Sequence, residues 1–233
     1  VGCRMGCRFC ASTLLGKVRN LSAGEMLAQV ARVNAVNKVS NIVIMGVGEP
    51  LDNYENLLLF LQNINDPKGL NIGYRHISVS TCGLVDRMEQ LAQRRFPITL
   101  SVSLHAPDDE TRNRLMPVNR KYPVATLMQA CRDYIAVTSR RISFEYTLVK
   151  EINDTPRHAA LLASLVRGKL CHVNLIPVNY VAERGLEPSS SGTIEKFRRI
   201  LAEKGVNVTV RRRLGSEINA SCGQLRHQYM KEQ

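Results

Sequence analysis

Three cysteines stand within the first ten residues, V-G-C-R-M-G-C-R-F-C, and their spacing sets the chemistry to look for. Cys3, Cys7 and Cys10 form a C-x-x-x-C-x-x-C pattern. An odd number leaves a thiol over, and loops this short strain a disulfide, so the set reads as metal ligands. The count matters as much as the residue type. Structural zinc takes four protein ligands, usually as two separated pairs, whereas a cubane iron–sulfur cluster held by three cysteines keeps one iron open for a further ligand. Zinc held by these cysteines with a distant Cys222 or a histidine is the alternative on this stretch alone.

Other polar residues stand where strands are expected to end. Gly46-Val47-Gly48-Glu49-Pro50 follows a short apolar run, and it is too short for a dinucleotide fingerprint, which needs G-x-G-x-x-G leading into a helix. A carboxylate such as Glu49 accepts hydrogen bonds from an amino group. Ser80 and Ser103 offer hydroxyls suited to a ribose or a carboxylate. His105 closes Ser103-Leu104-His105, and with no orienting partner nearby it suits binding better than base catalysis. Cys222, in N-A-S-C-G-Q-L downstream of Arg211, Arg212 and Arg213, is a candidate nucleophile with a lowered pKa. Cys82, Cys131 and Cys171 read as small buried apolar residues.

The elements that must position these residues follow from periodicity. Ser22-Ala23-Gly24-Glu25 is a capping box, opening a helix with Met26, Leu27, Val30 and Val33 inward. Residues 41–45 suit a strand buried on both faces. Leu57, Phe60, Leu61 and Ile64 mark a second helix and residues 76–81 a strand. Leu84, Met88, Leu91 and Ala92 stripe a third helix, and residues 97–105 are a strand. Residues 108–116 suit a short polar helix; Val124, Leu127, Met128, Cys131 and Ile135 stripe a longer one, before a strand at 143–149. Thr155-Pro156 caps a helix carrying Leu161, Leu162 and Leu165. A strand at 172–179 ends near Asn179, a helix carries Ile194, Phe197 and Leu201, and residues 207–213 form a last strand. This alternation predicts right-handed βαβ units in a parallel sheet. Six strands are visible, and a seventh lies upstream if the cysteine loop itself follows one. The expected fold is therefore α/β, a partial parallel (β/α)6-type barrel truncated at its N-terminus, with residues 1–233 as one catalytic domain. The loops after the strands then bring the cysteines, Gly48, Glu49, Ser80, His105 and Asn179 together.

The chain has 233 residues, ordinary hydrophobic and charged content, and no run of apolar residues long enough to cross a bilayer. No signal peptide is visible. Seven cysteines, three of them clustered, point to a reducing compartment, the cytoplasm. A net charge of +12 favours a polyanionic partner, nucleic acid being the commonest. The chain begins without Met, two residues before Cys3, and reads as an excerpt with sequence missing upstream.

The cysteine motif, with Phe9 before its last member, resembles the signature of the radical S-adenosylmethionine (SAM) enzymes, whose open iron chelates the amino and carboxylate groups of SAM. Arg19-Asn20-Leu21, Gly48-Glu49-Pro50-Leu51, Ser80-Thr81, Ser103-Leu104-His105-Ala106-Pro107, Asn174-Leu175-Ile176-Pro177 and Cys222-Gly223-Gln224-Leu225 extend the resemblance. Together they are similar to the bacterial radical SAM RNA methyltransferases that act on adenine, in particular the branch that methylates carbon 2 of an adenosine in 23S rRNA and in tRNA. The resemblance implies a 4Fe-4S cluster on Cys3, Cys7 and Cys10. It implies SAM contacts at Gly48, Glu49, Ser80, Ser103, Leu104, His105 and Asn179, and a methyl-carrying Cys222. It also implies an electron donor such as flavodoxin, and a monomer is expected. That family uses a resolving cysteine seven residues before Cys3 and an acidic base further upstream, so this stretch is expected to bind cluster and SAM yet fail at full turnover. Three alternatives stand beside it. The sister branch methylates carbon 8, but tends to have Cys where Val1 stands. A zinc-stabilised RNA-binding module would be colourless. A radical SAM activase acting on a protein would not need the basic surface.

Overall fold

The computed structural model describes residues 1–179 and 181–212. Strands β1 (Ile42–Ile44), β2 (Ile77–Thr81), β3 (Thr99–Ser103), β4 (Ile142–Leu148), β5 (Cys171–Pro177) and β6 (Val208–Val210) pair in parallel and in sequence order. Helix α1 (Ala23–Asn34) precedes β1, and α2 (Tyr54–Ile64), α3 (Val85–Gln93), α4 (Asp109–Leu115), α5 (Val124–Thr138), α6 (Pro156–Val166) and α7 (Ser191–Glu203) lie between the strands. Their starts are chemically marked. Ser22 and Glu25 form the expected reciprocal capping box on α1, Thr155 accepts from the His158 amide ahead of Pro156, and Ser190 caps α7.

A flat sheet of six strands would hold its edges roughly 24 Å apart, at about 4.8 Å per strand spacing. Yet Arg211, just past β6, places Nη1 3.5 Å from Sδ of Met45, just past β1. The sheet is therefore curled, with its two described edges approaching each other, as a partial barrel requires.

Alternation along the strands separates two faces. Val79, Leu100, Val102, Phe144, Tyr146, Val173 and Leu175 point outward and pack with Leu61, Met88, Leu127, Leu162 and Leu201 of the helices into the main core. The register aligns the opposite positions: Ser80 with Ser101, Ser103 with Glu145, Glu145 with Asn174, and Asn174 with Thr209. The concave face is thus polar, with small side chains where a closed barrel would carry bulky branched ones.

Two expectations are corrected. The strand at 41–45 is not buried on both faces: Val43 is 60% exposed, because β1 is an edge strand among the described residues and its inner side faces the open concave surface. Val33 on α1 and Leu161 on α6 are likewise exposed rather than inward. The short polar helix expected at 108–116 is present as α4, and it carries a completely buried arginine, Arg112.

Candidate functional site at the carboxyl ends of the strands

The first seventeen residues fold into a hairpin-like loop against the carboxyl end of the sheet. Gly2 bridges Lys17, and the Cys3 amide donates to the carbonyls of Ser12 and Gly16, 3.1 Å each. Gly2 has φ +79°, and a Cβ there would lie 2.0 Å from the Gly16 carbonyl oxygen. Gly48 has φ +144°, and its Cβ would meet the Gly2 carbonyl at 3.0 Å. Glycine at both positions lets the cysteine loop and the loop after β1 touch through backbone. Asp52 fastens the same pair of loops, accepting from Lys17 Nζ at 2.8 Å and from Arg4. Thr13 Oγ1 donates to the carbonyls of Cys7 (3.2 Å) and Cys10 (2.9 Å) and accepts from Arg184 Nη2 at 2.9 Å, so the segment after β5 braces the cysteines from behind.

A cavity of about 270 Å³ opens where these loops meet the strand ends. Cys3, Cys7 and Cys10 line it, together with Gly48, Glu49, Ser80, Ser103, His105 and Asn179. Leu104 does not: its side chain is fully buried in the core, and its carbonyl accepts from Arg112 Nε at 3.0 Å. Cys222 lies outside the described residues. Cys82, read as a core thiol, is buried but also lines the cavity.

The three cysteines are free thiols. Burial pushes the pKa of Cys3 and Cys7 up, and Cys10 raises both further through its nearby charge, so the three sulfurs lie within electrostatic reach of one another. Loading a metal would displace protons from them. Among the described residues no three His, Cys, Asp or Glu side chains converge closely enough to hold a single ion. A cubane cluster spreads its thiolates more widely than a mononuclear ion does. Three thiols on one cavity wall, from one glycine-rich loop, fit a cluster with an open iron.

Glu49 braces rather than projects. Its Oε2 accepts from the Cys82 amide at 2.7 Å and its Oε1 from the Leu51 amide at 3.0 Å, joining the glycine loop to the end of β2. Burial raises its pKa, opposed by those amides. His105 takes the left-handed conformation (φ +55°), with its carbonyl held by Asn153 Nδ2 at 2.7 Å. The Thr147 amide donates to its Nδ1 at 2.9 Å, which assigns the proton to Nε2. Burial, and then the charge of Arg112, lower its pKa to about 3. A neutral imidazole with Nδ1 occupied and Nε2 protonated is a donor and a flat surface, not a base. Phe9 stacks edge-on against it at 4.5 Å between centroids.

Two residues that hold the site escaped sequence reasoning. Arg112 spreads its guanidinium over the carbonyls of Cys82 (2.9 Å), Ser103 (3.2 Å) and Tyr122 (3.3 Å), besides Leu104 and the Asn119 side chain (2.9 Å), tying the ends of β2 and β3 together. Nothing in its polar helix distinguishes it from a solvated arginine. Glu145 lines the cavity from the middle of β4, where a charged residue between apolar neighbours was the available signal.

Comparison with known proteins agrees with this geometry. The model of the Radical SAM superfamily matches residues 1–163. A probable dual-specificity RNA methyltransferase RlmN from Desulforamulus reducens is 56% identical over 98% of this chain and 66% of its own length. One from Thermoanaerobacter sp. is 51% identical over the whole chain and 68% of its length. The chain therefore spans about two thirds of the length of these relatives. A radical SAM methyltransferase from Sphaerobacter thermophilus superposes with a TM-score of 0.92 at 45% identity, over 96% of this chain and 67% of that one. SuiB from Streptococcus suis, in its structure bound to S-adenosylmethionine, shares only the fold, with a TM-score of 0.70 at 15% identity over 91% of this chain and 48% of its own. The chain belongs to the radical SAM superfamily and, within it, to the dual-specificity RNA methyltransferases.

Proposed function

We propose that residues 1–233 are the catalytic domain of an enzyme that adds a methyl group to carbon 2 of adenosine in 23S rRNA and tRNA, by radical chemistry. Cys3, Cys7 and Cys10 hold a 4Fe-4S cluster, and Gly48, Glu49, Ser80, Ser103, Leu104, His105 and Asn179 surround SAM. The observation that carries this reading is the meeting of three cysteines with the glycine loop, both serines and His105 on one cavity. When bound, cluster and SAM supply the electron and the carbon radical that activate an otherwise inert methyl group. Carbon 2 of adenine is electron-poor and has no lone pair with which to attack a sulfonium, so ordinary methyl transfer does not reach it.

The chain's own groups bind and orient. Gly48 lines the cavity, so backbone rather than side chain lies next to the ligand there. Glu49, with each oxygen already bonded to an amide, keeps acceptor capacity for an ammonium group. Leu104 contributes through its backbone, given its buried side chain. His105 presents Nε2–H and a ring face. Cys222 is the proposed carrier of the transferred carbon, methylated on its sulfur before the carbon passes to adenine. The protein is expected to act as a cytoplasmic monomer with an electron donor of the flavodoxin kind. No described helix is long and apolar enough to cross a membrane.

The test is reductive cleavage of SAM by the anaerobically reconstituted protein supplied with a one-electron reductant. Wild type should release 5′-deoxyadenosine and methionine, C3A, C7A and C10A should release none, and C222A should keep cleavage but lose methyl transfer. A C7A protein that cleaved SAM as wild type does would contradict the ligand assignment.

A further inference from the structure

Glu49 and Glu145 both line the cavity, and they are held differently. Glu49 is bonded by backbone amides on both oxygens and serves the loops. Glu145 is 4% exposed, at the centre of the concave face, between Ser103 and Asn174 in register. Asn174 Nδ2 donates to its Oε2 at 2.7 Å and Ser143 Oγ to its Oε1 at 3.1 Å, with the Ser101 hydroxyl also contributing. An ionised carboxylate offers about four acceptor positions, so these three donors leave it short of saturation, and the residue lines the cavity. It makes no ion pair among the described residues; the nearest influence of opposite sign is the field of Arg211, whose guanidinium rests on Met45. Burial raises its pKa, and the bonds from Asn174 and Ser143, then the Arg211 charge, oppose that rise and favour the ionised, accepting form.

The carboxylate is also held in place. Asn174 Oδ1 accepts from Thr209 Oγ1 at 3.5 Å, and Thr209 Oγ1 lies 2.8 Å from His172 Nε2, which turns the Asn174 amide hydrogens toward Glu145. Beside it, Ile176, Val178 and Met116 supply an apolar wall to the same cavity. A preoriented acceptor at the edge of an apolar slot is complementary to a flat, donor-bearing ligand.

We propose that Glu145 is the acceptor for an adenosine in this cavity, taking hydrogens from its ribose hydroxyls or its exocyclic amino group. This rests on the reading above that adenosine-bearing ligands occupy the site, and it assigns a binding residue which that reading does not include. The same chemistry is carried by the adenosyl part of SAM and by the target nucleoside of the RNA.

The experiment compares full-length wild type, E145Q and E145D, each reconstituted anaerobically and matched for iron content and melting temperature. E145D keeps the charge but withdraws it by one methylene, and serves if E145Q does not fold. SAM affinity is measured by equilibrium dialysis without RNA, and methyl transfer with RNA carrying either adenosine or purine riboside, which lacks the amino group, at the target. If SAM is the source, E145Q should weaken SAM binding about 10- to 100-fold, the loss of one hydrogen bond to a charged group. If the target is the source, SAM affinity should hold while KM for RNA rises, and the penalty should shrink on purine riboside. Unchanged SAM affinity and unchanged methyl transfer in both variants would overturn the assignment of Glu145. A wild type that binds neither SAM nor RNA would overturn the functional reading, and this proposal with it.

Discussion

His105 shows how one side chain's surroundings decide its role. The unfolded chain takes up a proton on this imidazole below its ordinary value of 6.5, whereas the folded chain resists until about 3. The unfolded state therefore binds more protons across that window, so stability is lost as pH falls through it, by up to about 1.4 kcal/mol per pH unit from this group. Asparagine tolerates the left-handed backbone at 105 and offers an oxygen to the Thr147 amide. H105N should thus flatten the decline in urea-unfolding free energy between pH 6.5 and 4, and an unchanged slope would remove His105 as its cause. Arg112 gives a second prediction at this scale. R112L strips the donor from carbonyls at the ends of two strands and should cost about 3–5 kcal/mol, read as a lowered urea midpoint. The burial of neither was legible in the sequence. A histidine after a strand and an arginine in a polar helix carry no local mark of burial, which arises from segments 7 to 48 residues away.

At the scale of elements, the cysteine loop is positioned by glycine as much as by cysteine. G2A would drive a Cβ into the Gly16 carbonyl in a backbone conformation L-residues avoid. It should lower iron incorporation on reconstitution while leaving the far-UV circular dichroism unchanged, since no helix or strand of the sheet depends on that contact. Normal iron loading would show that the loop relaxes freely. S22A should cost about 1 kcal/mol through the lost cap of α1, checked by denaturant titration. Helix boundaries of this kind were readable because capping chemistry is local, and the stripes of α2, α3 and α5 were readable because they repeat. Val33, Val43 and Leu161 were misjudged because periodicity records an apolar residue without recording whether anything lies opposite it. Residues 41–45 in particular looked like a doubly buried strand, yet their inner side faces an open concave surface, a property of the sheet's curvature.

At the scale of the whole molecule, parallel βα alternation places every strand's carboxyl end on one side, which is why the meeting of residues 3–10, 48–49, 80, 105 and 179 could be anticipated from order alone. The polar lining of the concave face was signalled only at Glu145, a charge between apolar neighbours, because the small polar residues around it in short strands read equally as surface. The net charge of +12 gives a prediction at this scale: an RNA complex making about six phosphate contacts should lose affinity roughly a thousandfold between about 50 and 200 mM salt, measured by filter binding. A flat dependence would detach the charge from RNA. The central claim, that this cavity directs a radical onto the adenine ring, is tested most directly by anaerobic reconstitution of the full-length protein with iron and sulfide. It would then react with SAM, a reductant and RNA lacking the modification, and the nucleosides would be analysed by mass spectrometry. A brown protein producing adenosine heavier by one methyl at carbon 2 is the predicted result; a colourless, zinc-loaded protein that leaves the RNA unchanged would contradict it.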